Sequence, residues 1–166
     1  IQTPGHSPGH MCLYDPRHKI LVSGDHILFD ITPNITAWPD MLNVLQEYLQ
    51  NLDKIYSLEV DLVLPGHRSW QRNHRERIFE LKRHHRVRAD EIQAALEQEA
   101  KTAYQIAPCI SWDVSYQSRE DFPTPQKFFA MGEIIAHLQF LEAEGSVYSQ
   151  IVDGRKCYRR AIKKAV

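Results

Sequence analysis

In three separate stretches within the first 67 positions, residues of metal-ligand type directly follow glycine. The candidates are His6 in Thr3-Pro4-Gly5-His6-Ser7-Pro8-Gly9-His10, Asp25 in Ser23-Gly24-Asp25-His26, and His67 in Leu62-Val63-Leu64-Pro65-Gly66-His67. Two imidazoles and a carboxylate are good donors for Zn²⁺ and neighbouring first-row metals. A site that leaves a coordination position open lowers the pKa of bound water toward neutrality, which is the chemistry of hydrolysis. A Gly-His at a loop tip is by itself usually a turn. The pattern gains weight because the second and third motifs each follow a short apolar run, and a strand that ends in glycine frees the next side chain to point into a cleft.

Neighbouring residues have weaker claims. His10, after the Pro8-Gly9 turn, reads as a donor that supports the loop from behind rather than a metal ligand. His26, beside Asp25, is placed either to touch substrate or to pack at the strand end. Thr32, Pro33, Asn34 and Trp38 lie on a polar, Pro-marked loop able to wall the cleft. His84 and His85 are adjacent on a helix, point different ways and cannot form an i, i+4 metal pair. Trp70 and Trp112 read as packing residues.

The elements that must position these side chains follow from period and punctuation. Met11 to Tyr14 and Lys19 to Ser23 are β-type runs joined by the turn sequence Asp15-Pro16-Arg17-His18, predicting a hairpin with Asp25 at its exit. Pro39 suits the first turn of a helix, and Leu42, Leu45, Leu49 and Leu52 recur at helical spacing. Val60 to Leu64 is a buried-strand pattern that delivers His67 at its C-terminal end. The spacing predicts a long helix from Asn73 to about Glu99, with Ile78, Leu81, His85, Ile92 and Leu96 on one stripe. Thr102 caps a short helix that Pro108 ends. A further helix from about Thr124-Pro125 to Gly145 has Phe128, Met131, Ile135 and Leu138 on a core face. Val147 to Val152 and Lys156 to Arg160 flank Asp153-Gly154, a two-residue hairpin signal. Three helices and a hairpin describe a winged helix-turn-helix. The expected class is α+β, with an α/β domain at 1–72 and a winged-helix domain, entered by the long helix, at 73–166.

Composition narrows the function classes. Hydrophobic residues make up 43% of 166 residues, enough for a core, and the formal net charge is -1. The charge is uneven along the chain. Residues 1–67 hold 3 Lys/Arg against 8 Asp/Glu, residues 68–88 hold 8 against 2, and residues 89–166 hold 9 against 11. The basic belt of Arg68, Arg72, Arg75, Arg77, Lys82, Arg83, Arg86 and Arg88 either attracts an anion or is a solvated, ion-paired helix face. Cys12, Cys109 and Cys157 are odd in number and widely spaced, which fits a reduced, cytoplasmic setting. No apolar stretch approaches the ~20 residues of a membrane span.

The three motifs together resemble the third, fourth and fifth metal motifs of the metallo-β-lactamase superfamily. The stretch Gly24-Asp25-His26-Ile27-Leu28 with Ile31-Thr32-Pro33-Asn34-Ile35 resembles its subgroup of hydrolases with a C-terminal winged-helix domain. The resemblance implies the second half of an αββα sandwich followed by that domain. It implies that His6 binds a first metal, Asp25 bridges two metals and His67 binds the second, the ions being zinc, with iron or manganese as alternatives. It also implies a metal-activated hydroxide acting on an ester, thioester, lactone or phosphodiester in a small-molecule substrate.

The family's H-x-H-x-D-H motif, expected upstream with the catalytic residues, is not among these 166 residues. The chain opens inside a motif and reads as one half of the enzyme, with two protein ligands left per metal. The expectation is an inactive, metal-poor piece whose Leu13, Ile20, Val22, Leu62 and Leu64 face is exposed and drives self-association. The alternative is a nucleic-acid-binding winged helix that contacts RNA through Arg155, Lys156, Arg159 and Arg160. Sequence-specific DNA reading is not expected, because the helix from about Gln126 to Glu144 pairs Lys127 and His137 with Glu133, Glu142 and Glu144 and has no Arg.

Overall fold

Asp15 builds the first turn. Its Oδ1 accepts the amides of Arg17 and His18 at 2.9 and 3.2 Å, an Asx-type turn that folds the chain back on itself. The flanking segments form β1 (Leu13–Asp15) and β2 (Ile20–Gly24), paired antiparallel with Leu13 opposite Val22 and Asp15 opposite Ile20. The computed structural model describes residues 1–112 and 123–161. Strand β3 (Leu62–Pro65) lies parallel to β2, giving a mixed sheet in the order β1-β2-β3. The β2–β3 register slips between Val22 and Gly24. Such an irregularity re-aims the next side chain, and the next side chain is Asp25.

The pleat divides the sheet into two faces. Leu21 and Val63 are buried, whereas Leu13, Val22 and Leu64 on the other face are 62, 41 and 37% exposed. On the buried side, α1 (Val44–Tyr56) presents Val44, Leu45, Tyr48, Leu52 and Ile55. This helix starts later than the leucine spacing predicts. Asn43 is its N-cap and accepts from the Gln46 amide at 3.3 Å, so Leu42 precedes the helix and is 93% exposed.

Next comes α2 (His74–Ala95). Asn73 caps it reciprocally with Glu76, Asn73 Oδ1 accepting the Glu76 amide and Asn73 Nδ2 donating to Glu76 Oε2. Ile78, Leu81, His85, Ile92 and Leu96 are buried, as their spacing predicts, but the helix ends four residues before Glu99. The chain divides into two compact units, residues 1–85 and 86–166. The division falls inside α2 rather than at Asn73. The first turns of the helix belong to the α/β unit, where the His85 ring stands 5.4 Å from that of Tyr48.

In the second unit, Thr102 and Gln105 form a capping box on α3 (Ala103–Ile106), followed by a 3-10 turn at Ala107–Cys109. Then come α4 (Thr124–Ala143), β4 (Val147–Val152) and β5 (Arg155–Arg160), the strands pairing antiparallel. Asp153 and Gly154 both have positive φ, 49° and 72°, the conformation of a tight two-residue hairpin turn. Lys101 extends the hairpin by exchanging two backbone bonds with Tyr158. Ala89, Ile92, Leu96, Ile106, Ile134, Leu138, Leu141, Val147 and Tyr158 form the core. Phe128, expected on the core face, is 69% exposed, because on α4 burial begins only at Ala130.

Candidate metal centre

Asp25 sits between the two histidines. His6 Nε2 lies 3.4 Å from Asp25 Oδ2, and His67 Nε2 lies 3.5 Å from Asp25 Oδ1. Both separations are long for a hydrogen bond. They match instead the spacing of two ligands on one ion, since donors ~2.1 Å from a tetrahedral metal stand ~3.4 Å apart. The donor set and its spacing therefore fit a first-row metal ion. Each side of the carboxylate offers one oxygen and one imidazole. Among the described residues, no group of three or more His, Cys, Asp or Glu side chains could hold an ion.

The orientation of His6 is fixed from behind. Its Nδ1 lies 3.0 Å from the carbonyl oxygen of Asn34, which can only accept, so Nδ1 has the proton and Nε2 is left with a lone pair facing Asp25. Trp38 Nε1 donates to the His6 carbonyl at 3.3 Å. The 32–38 loop, expected to wall the cleft, thus grips His6 at both ring and backbone, and Asn34 does so through its main chain.

His10 holds Asp25. The Asp25 amide donates to His10 Nε2 at 3.2 Å, and His10 Nδ1 lies 2.9 Å from Thr3 Oγ1. Nε2 must accept, so the proton is on Nδ1 and points at the threonine. Burial, followed by the nearby His6, lowers the His10 pKa, which favours the neutral ring this bond needs. His26 is completely buried, between His10 at 5.9 Å and Tyr48 at 5.1 Å between ring centroids. Burial pushes its pKa down to about 3. His26 therefore packs at the strand end, between the two rings.

Two long-range supports were not legible in the sequence. Arg77, a member of the basic belt, donates through Nε to the Leu28 carbonyl at 2.6 Å and through Nη2 to that of Ile31 at 3.0 Å, and pairs with Glu80. Asp30 Oδ2 accepts the Ser69 amide at 2.9 Å. Together they tie the loop after Asp25 to α2 and to the segment after His67. Charge-assisted bonds contribute about 1.5–3 kcal/mol each. Arg77→Met is expected to lower the unfolding free energy by about 2 kcal/mol in urea titration, while Arg83→Met, at an exposed position of the same helix, stays within about 0.5 kcal/mol.

One exposed aromatic differs from expectation. Trp70, expected to pack, is 58% exposed. Its segment is held by backbone bonds between Gln71 and Val63 and by Ser69, and these leave the indole outside. On the C-terminal hairpin, Lys156 pairs with Glu142 and Arg160 with Glu97, while Arg155 and Arg159 are exposed. Trp112 is partly buried under Arg88, whose guanidinium lies 4.4 Å from the ring centroid. Among the described residues no helix is long and apolar enough to cross a membrane.

Residues 1–67 match the metallo-beta-lactamase superfamily, and residues 89–161 match the metallo-beta-lactamase-like C-terminal domain. The chain is 24% identical over 169 residues to the probable metallo-hydrolase YqjP of Bacillus subtilis (strain 168), covering 99% of this chain and 50% of that one. It is 38% identical over 71 residues to the acyl-coenzyme A thioesterase MBLAC2 of Gallus gallus, covering 40% of this chain and 24% of that one. A crystal structure of a beta-lactamase domain protein from Burkholderia ambifaria superposes with a TM-score of 0.84 at 33% identity, covering 95% of this chain and 46% of that chain. Against YqjP, the chain spans about half the relative's length.

Proposed function

The chain belongs to the metallo-β-lactamase superfamily, and we propose that it supplies one half of a dinuclear metal centre for hydrolysis of an ester-type bond, with thioesters the preferred class. The observation that carries this reading is the Asp25 carboxylate flanked on its two oxygens by His6 and His67 at 3.4 and 3.5 Å. His6, Asp25 and His67 are the residues that would hold the ions. Bound metal supplies Lewis acidity and a nucleophile available near neutral pH.

The residues of this chain do the positioning. Asn34 and Trp38 fix the His6 ring and backbone, His10 fixes the Asp25 backbone, and Arg77 fixes the loop that follows. Ligands held by such outer partners keep their tautomer and direction through turnover, and losing a partner typically costs 10–100-fold in affinity or activity. The thioester preference is supported by the acyl-coenzyme A thioesterase MBLAC2, whose similarity spans 71 residues.

The test is made on the full-length protein loaded with zinc and assayed on a short acyl thioester of N-acetylcysteamine. Asp25→Asn keeps the shape and removes the charge shared by both ions. It is expected to lower kcat/KM about a thousandfold and to reduce bound zinc, on the scale of losing a key electrostatic group. Wild-type kcat/KM and zinc content in this variant would refute the proposal.

A further inference from the structure

Every residue from Gly66 to Asn73 is exposed. This segment begins at a proposed ligand and ends at the cap of α2, and it contains Arg68, Trp70 and Arg72. A tryptophan 58% open to solvent is a large aromatic face without a protein partner to cover it. Its cationic neighbours form no salt bridge among the described residues, although Arg68 acts on Asp30 from longer range. Five of the eight belt cations are neutralised locally: Arg75 by Glu59, Arg77 by Glu80, Lys82 by Asp53, Arg86 by Glu144 and Arg88 by Glu91. Among the described residues, Arg68 and Arg72 have no such ion pair, and they flank Trp70 two residues to either side.

The backbone adds a third sign. Arg68 has φ 68°, a left-handed conformation that a residue with a side chain adopts at some cost. The next amide is pinned by Asp30 at 2.9 Å, and the chain then bridges back to Val63 through Gln71. The strained residue, one position after His67, is thus followed directly by a tethered segment. Three residues of chain span at most ~11 Å, so Trp70 is within reach of a substrate seated at the metal centre.

We propose that Arg68, Trp70 and Arg72 form a nucleotide-recognition edge beside the candidate metal centre, taking the nucleotide end of a thioester carried on a coenzyme. The purine stacks on the Trp70 indole, and the two guanidinium groups take its phosphates, for which arginine's planar fork is suited. The acyl thioester then lies toward Asp25. This inference rests on the hydrolase reading for its substrate, but nucleotide binding can be measured without turnover. A carrier protein would bring the same thioester arm without a purine ring, so the two carriers are separable.

Two measurements on the full-length protein decide it. The first is binding of adenosine 3′,5′-bisphosphate, followed by quenching of tryptophan fluorescence and by calorimetry. Trp70→Leu is expected to weaken binding about tenfold, Trp70→Phe to restore most of it, and Arg68→Gln with Arg72→Gln to weaken it about tenfold and reduce its salt dependence. Arg68→Gly is expected to raise thermal stability while weakening binding, since glycine relieves the left-handed residue. The second is the ratio of kcat/KM for an acyl-coenzyme A to that for the matching N-acetylcysteamine thioester, expected to fall about tenfold in Trp70→Leu. If both thioesters are hydrolysed through Asp25 and neither the ratio nor bisphosphate binding depends on Trp70, the nucleotide edge is overturned and the hydrolase reading stands. If bisphosphate binds through Trp70 and no thioester is cleaved, the nucleotide edge stands and the hydrolase reading fails.

Discussion

Gly66→Ala is expected to lower kcat/KM for thioester hydrolysis about a hundredfold in a protein that remains folded. A Cβ at this position would lie 2.6 Å from Asp25 Oδ1 and 3.2 Å from the Gly24 carbonyl carbon. The nearest atom is the end of a side chain, so the carboxylate yields before the backbone does. Gly66 does not have positive φ, which means alanine imposes no conformational strain and the effect is confined to the site. Displacing Asp25 by about 1 Å moves the group proposed to be shared by both ions, and a misplacement of that size costs on the order of 10²-fold in rate. Steady-state kinetics with zinc analysis and a melting curve check it: reduced kcat/KM with a nearly unchanged Tm is the expected result. Activity within threefold of wild type would show that the close approach of Gly66 to Asp25 has no part in catalysis.

Gly5→Ala is expected to act on stability, by about 3–5 kcal/mol. Gly5 has φ 146°, and an added Cβ would lie 2.6 Å from Tyr48 Cβ and 2.8 Å from Tyr48 Cα. Neither atom is a flexible end. The helix α1 must move away from the His6 loop or the loop must refold, combining a backbone outlier with overpacking, each worth about 1–3 kcal/mol. Tyr48 is fully buried and donates to the His26 carbonyl at 3.0 Å, so the displacement also reaches the residue beside Asp25. Gly9→Ala is the control within the same loop. Nothing lies within 4 Å of a Cβ there, and a change within about 0.5 kcal/mol is expected by urea denaturation.

The element order was legible because local chemistry specified it. The Asx turn at Asp15, the Asp153-Gly154 pair, the Thr102 cap and the apolar stripe of α2 each declare an element within a few residues. The glycines before Asp25 and His67 marked where side chains leave β2 and β3. The convergence of those side chains depends on the parallel pairing of β2 with β3 and on the slip between Val22 and Gly24, and no local pattern encodes a register. Leu42 and Phe128 misled because a helical period continues past the point where a cap or a change of burial ends the buried face.

Supports that act across the sequence were hidden for a different reason. Arg77 looks like any other member of a basic helix, and its contacts with Leu28 and Ile31 span more than 40 residues. Asn34 was read as part of a loop walling the cleft, and it reaches His6 through a carbonyl that every residue possesses. Trp70 was expected to be covered because tryptophan usually is, and only the three-dimensional path of residues 66–73 shows the indole outside.

The central claim is that His6, Asp25 and His67 are metal ligands with the carboxylate between them. Anomalous diffraction at the zinc absorption edge, on crystals of the full-length protein, tests it most directly. The expected result is metal density on both sides of Asp25, with His6 and His67 Nε2 atoms among the ligands. Zinc bound elsewhere, or density that leaves the Asp25 carboxylate uncoordinated, would contradict the account.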